Sequence, residues 1–208
     1  MGFFEYISQH WYAGAALVLL VILTVFVWIR AAISGKKRSE ERERIIAEIE
    51  KEKALRKEFK TVDDSTFSNV EDYRLIIGMC AYIQQKIENE TDMNAAFSVL
   101  SEIEKFAYVL GYVFEDSKKG LSEFFRANGE PLLSVSLDAV RKVIGGEFAE
   151  VFEKEFVMLD ENDETTSVDN DELEVLDGKF ASIIEADGEG IYTKVASFIR
   201  SNKDIFLN

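Results

Sequence analysis

From Trp11 to Ile29 the chain reads WYAGAALVLLVILTVFVWI, 19 residues without a charge. Wound as a helix, this run spans about 28 Å, close to the hydrocarbon thickness of a bilayer. A helix buried in a soluble core carries polar residues on one side, and here only Gly14 and Thr24 interrupt the apolar composition. A signal peptide carries a basic region ahead of its apolar stretch, and no Lys or Arg precedes Trp11. The pattern therefore predicts a transmembrane anchor over 11–34 behind a short extracytoplasmic tail over 1–10. Arg30, Lys36, Lys37 and Arg38 follow the run, and positive flanks stay in the cytoplasm. Trp11, Tyr12 and Trp28 stand at its two ends, where amphipathic rings favour the headgroup zone. The expected location is the cell membrane, single-pass, with the carboxy-terminal part cytoplasmic.

Beyond the anchor the pattern changes to short amphipathic segments. Residues 35–67 read as a charged helical stalk and linker. The stretch KKRSEERERIIAEIEKEKALRKEFK (36–60) lacks Gly and Pro, and Glu40–Arg44 and Glu52–Arg56 have the favourable i, i+4 order. Its apolar stripe of Ile45, Ile49, Leu55, Phe59 and Val62 is too thin to sustain heptads, so a solvated spacer is expected and a homo-oligomer stays open. Thr61 to Phe67 reads as linker. Residues 68–208 read as one acidic all-α domain of six or seven helices. Ser68 to Glu71 matches a capping box, ahead of Tyr73, Ile76, Ile77, Cys80, Ile83 and Ile87 at helical spacing. Asp92 caps the next helix, which carries Phe97, Leu100, Ile103, Phe106, Ala107, Leu110 and Phe114 on one face. A short element holds Leu121, Phe124 and Phe125, and Pro131 opens a helix that Gly145-Gly146 ends. Phe148, Val151, Phe152 and Phe156 follow. After a polar acidic stretch over 160–172, two segments separated by the Gly188-Glu189-Gly190 loop close the chain.

Charge sharpens this division. The whole chain of 208 residues carries −15. Residues 36–60 hold 10 basic and 7 acidic side chains, whereas residues 61–208 hold 13 basic and 31 acidic ones. The basic end lies near the anionic inner leaflet and the acidic domain is repelled from it. Between Glu150 and Glu189 there are 15 acidic residues and only Lys154 and Lys179 as bases. A single cysteine, Cys80, rules out an internal disulfide and fits a reducing compartment; on an apolar face it reads as a small core residue.

The sequence offers little for catalysis. The only histidine, His10, is on the far side of the anchor, which removes His-based acid–base, triad and metal chemistry from the domain. No nucleophile elbow, phosphate loop or dinucleotide fingerprint occurs. Tested as an EF-hand from Asp160, the acidic stretch has Thr165 where glycine is needed and Asp171 where the long Glu is needed. No cofactor, metal or small-molecule substrate is expected. Paired carboxylates remain the one route to an enzyme.

From about Ser101 onward the order of motifs resembles the bacterial domain-of-unknown-function 4375 family, typified by a DNA-mimic protein. The family's glycine-led aromatic signature is matched by Lys119-Gly120-Leu121-Ser122-Glu123-Phe124-Phe125, with Asn128-Gly129 after it. Lys118 and Lys119 stand where the family has Asn and Gly, and Glu123 replaces its Gln. Val140 to Gly146 is similar to the family's helix ending in Ile-Gly, Leu176-Asp177-Gly178-Lys179-Phe180 to its L-D-x-x-F pattern, and Val195 to Lys203 to its final pattern. The resemblance covers about half the chain and implies the helical fold more than an activity. DNA mimicry, with carboxylates imitating phosphates, is the role it implies.

These observations together predict a non-catalytic interaction protein. The bilayer is its partner through Trp11 to Ile29. A basic protein is its partner through an acidic face at Asp160, Glu161, Asp163, Glu164, Asp169, Asp171 and Glu172. Direct nucleic-acid binding is not expected of so acidic a surface. The alternatives are a toxin-immunity protein at the membrane, a carboxylate-only enzyme, or acidity that serves solubility alone.

Overall fold

The computed structural model describes residues 42–160 and 170–207. The expected tail and anchor lie outside these residues, as does the stalk before 42. The described residues are all-helical, with no strand among them. None of their helices is long and apolar enough to cross a membrane. Residues 42–58 form α1. The chain divides into two compact units between Lys53 and Ala54. In the first unit Ile45, Ile46 and Ile49 are exposed. The second holds α2 (Asp64–Asn69), α3 (Asp72–Glu88), α4 (Met93–Val99), α5 (Glu102–Asp116), α6 (Leu121–Ala127), α7 (Leu132–Ala139), α8 (Gly146–Asp160) and α9 (Asn170–Ser201).

The core of this second unit reaches back into the segment expected to be stalk and linker. Phe59 is 1% exposed and Phe67 3%. Phe59 lies against Gly78 of α3, where a Cβ would overlap its ring, so the close approach requires glycine. The expected linker instead holds α2, opened by a capping box in which Asp63 accepts from the Thr66 backbone N–H and Thr66 accepts from that of Asp63. The capping box expected at Ser68–Glu71 does not form. Glu71 itself is the N-cap of α3 and accepts from the Tyr73 and Arg74 backbone N–H groups.

α3 packs along α5 at the centre of the unit. Leu75, Ile76, Met79, Cys80 and Ile83 of α3 meet Ala107, Leu110, Val113 and Phe114 of α5 in one buried cluster. The single helix expected from Asp92 to Phe114 is two helices. Asp92 caps α4 through the Asn94 and Ala95 N–H groups, and Ser101 with Glu104 makes a second capping box that starts α5. Burial pushes the Glu104 carboxyl up, but hydrogen bonds from Lys86 and Ser101 outweigh it and hold the group below the usual carboxylate range.

α7 runs into a π-helical turn (Val140–Ile144) that ends at Gly145, where φ is +67°. The last two expected segments are two helices that meet within α9 at a kink, where Asp187 is non-helical (φ −144°, ψ 29°); Gly188 and Gly190 lie in the helical run after it rather than in a loop. The far end of α9 is tied to the α2–α3 junction by Arg200. Its guanidinium donates to the Phe67 and Val70 carbonyls and to the Asp72 carboxylate, at 2.8, 2.9 and 2.6 Å.

Candidate functional site

The acidic stretch predicted to bind a partner falls on α8, α9 and the chain between them. Glu161, Asp163, Glu164 and Asp169 lie outside the described residues, as does the side chain of Asp160. Asp171 and Glu172 open α9 and are exposed. Further exposed acids line the same two helices, among them Glu147 and Glu150 on α8 and Glu174, Glu185 and Glu189 on α9.

The acids of this region do three different things. Glu153 pairs with Arg141. Asp177 is half-buried and caps α6: its carboxylate accepts from the Ser122 backbone N–H at 2.9 Å and the Ser122 hydroxyl at 2.6 Å. A carboxylate suits the N-terminal turn of a helix, where orphan N–H groups and the helix dipole attract negative charge. Gly120, the residue before α6, has φ +140°, and a Cβ there would stand 2.7 Å from Asp177 Oδ1. Glycine is needed at 120 on both counts. Segments 119–125 and 176–180 are thus joined by a structural contact.

Glu155 is the third case. It is 0% exposed, and neither carboxylate oxygen has a hydrogen-bond partner. Burial pushes its carboxyl up to about 8; the negative charge of Asp177 adds to this and Arg126 opposes it. At neutral pH the group is therefore mostly protonated and carries no charge to a partner. A route to its presence existed in the sequence. Glu155 is four residues after Val151 and three after Phe152, on the buried face of α8.

Between α8 and α9 runs a groove of about 630 Å³. Val157, Met158, Val175 and Leu176 supply its apolar surface. Glu150, Glu153 and Glu172 supply acid, and Lys154 and Lys179 supply base. Val157 is 42% exposed and Val175 63%. Neither valine was legible as a site residue, because each sits at an outward helix position within a polar segment.

Elsewhere many of the cations of the described residues are paired. Nine of them, from Arg56 to Lys203, sit in ion pairs with carboxylates. Lys154 and Lys179 are not among them. No cluster of metal-ligating side chains occurs among the described residues. Compared with protein-family models, curated proteins and solved structures, the chain matches none.

Proposed function

We propose that this chain is a membrane-tethered, non-catalytic interaction protein whose acidic helical domain binds a basic protein surface. The observation that carries the reading is the exposed acid along α8 and α9, set in a domain whose other cations are largely engaged in ion pairs. Such a face draws a basic partner over a Debye length of about 8 Å and raises its encounter rate. Catalysis by paired carboxylates finds no support in Glu155 and Asp177, since the first is enclosed and the second is occupied in capping α6. The Trp11–Ile29 run and its basic flank support a single-pass anchor with this domain in the cytoplasm. The family resemblance supports DNA mimicry as the form the binding takes, with carboxylates in place of phosphates.

The test has two parts. A reporter fused after Asn208 is active in the cytoplasm only, and an active extracytoplasmic reporter refutes the orientation. Affinity for a partner falls steeply with added salt. It also falls when Asp160, Glu161, Asp163, Glu164, Asp169, Asp171 and Glu172 are neutralised to Asn or Gln, with helicity unchanged. Affinity indifferent to both assigns the charge to solubility.

A further inference from the structure

The groove between α8 and α9 has a form that charge alone does not require. Its lining residues recur with helical period on both walls. On α8 they are Glu150, Glu153 and Lys154, then Val157 and Met158; on α9 they are Glu172, then Val175 and Leu176, then Lys179. Each wall is a ridge at i, i+3, i+4 and i+7 spacing, about two turns or 12 Å long. We propose that this groove receives an amphipathic basic helix of the partner. The helix's apolar stripe seats on Val157, Met158, Val175 and Leu176, and its Lys or Arg flanks face Glu150 and Glu172. The proposal rests on the reading of α8 and α9 as the binding face and adds the shape of the ligand.

Three observations select this occupant. Valines exposed by 42% and 63% on adjacent helices remain wet in the free protein, and burying them favours association. Their β-branched side chains have little rotamer freedom left to lose. Met158 is the adaptable member of the floor. The spacing of the walls matches a helix that presents anchors at i, i+4 and i+7. The surrounding acid makes the choice of sign: Lys154 and Lys179 in the lining are outnumbered by Glu150, Glu153 and Glu172, and exposed Asp171 and Glu174 adjoin them on α9. An acidic amphipathic helix would be repelled here. In the comparable groove of about 590 Å³ beside α4, Glu104 is paired with Lys86 and Asp92 caps α4, which leaves Glu90 as the one further acid of its lining.

The experiment uses the full-length chain in zwitterionic nanodiscs, with empty nanodiscs as reference. Three fluorescein-labelled synthetic peptides are titrated by anisotropy. One has Leu at i, i+3, i+4 and i+7 with Lys elsewhere, one is its scramble, and one has Glu in place of Lys. The patterned Lys peptide binds about tenfold tighter than its scramble, and the Glu peptide does not bind. Val157→Ser and Val175→Ser each weaken the patterned peptide by about three- to tenfold and leave the scramble unaffected. Glu150→Gln weakens both Lys peptides. Both valines are exposed, and an unchanged circular dichroism spectrum shows that the variants fold. Equal binding of patterned and scrambled peptides, untouched by the valine changes, overturns the groove proposal while leaving the acidic-face reading intact. Equal binding of the Glu and Lys peptides overturns the basic requirement. Failure of every peptide to bind, at low salt as well, overturns both.

Discussion

Glu155→Gln isolates the effect of one enclosed carboxyl on stability. The Glu155 carboxyl is enclosed, its oxygens have no hydrogen-bond partner among the protein's groups, and its folded-state value is pushed up to about 8 from an ordinary 4.5. Between these values the folded protein holds a proton that the unfolded chain has released. Stability is therefore greatest below about pH 4.5 as far as this group is concerned, and is lost as pH rises through about 8. The slope while the proton counts differ by one is about −1.4 kcal/mol per pH unit. From pH 5.5 to 7.5 the loss is thus roughly 2.7 kcal/mol, a sizeable part of a typical domain's stability.

Other shifted carboxyls do not obscure this window. Asp72, whose hydrogen bonds from Thr193 and Arg200 lower it, and Glu104 act at more acid pH and with the opposite sign. Tyr73 and Cys80, both raised chiefly by burial, act at more alkaline pH. The assay is urea denaturation of the Ala54–Asn208 fragment, wild type and Glu155→Gln, at half-unit steps of pH. Glutamine keeps the shape and cannot ionise. Any fixed cost of its buried amide shifts the whole curve without changing the slope. The variant is expected to gain on wild type by about 1.4 kcal/mol per unit through the window and to level off above it. Wild type and variant with parallel pH profiles would refute the claim that Glu155 is protonated in the folded state.

Two further outcomes follow from the packing. Phe59→Ala is expected to cost about 3–5 kcal/mol, and a fragment beginning at residue 61 should unfold at clearly lower urea than one beginning at residue 54; equal midpoints would remove Phe59 from the core. Gly120→Ala is expected to cost about 1–3 kcal/mol by combining a positive φ with a clash against Asp177, and Asp177→Ala should cost about 1–2 kcal/mol by uncapping α6; thermal melts check both, and neutral results would mean that the α6–α9 contact is not made as described.

Much of this architecture was legible because burial on a helix leaves a periodic trace. The α3 stripe from Ile76 to Ile87 and the Asp92 cap could be read directly. The break between α4 and α5 was legible too, since Ser101-Glu102-Ile103-Glu104 is a capping box, but the apolar residues on both sides continue in helical phase and conceal it. The break at Asp187 was legible from the glycines beside it, but they advertise a loop where the helix resumes at once. Where charge and burial conflict, residue type misleads. Glu155 reads as one more solvated acid, and only its place three and four residues after Phe152 and Val151 reveals the core face. The acidic face could be located in the sequence as a charge density. Its groove could not, because Val157 and Val175 become a surface only when α8 and α9 lie side by side.

The central claim, that the α8–α9 face is where this protein meets a basic partner, is tested most directly by photocrosslinking in living cells. A photoreactive residue is placed at Val175 in one full-length variant and at Ser68, an exposed position on α2, in another. The account predicts a discrete adduct with a basic protein from position 175 only. That adduct should disappear when Glu150, Asp171, Glu172 and Glu174 are changed to their amides. Adducts of equal yield from both positions, or one from 175 that survives the neutralisation, would contradict it.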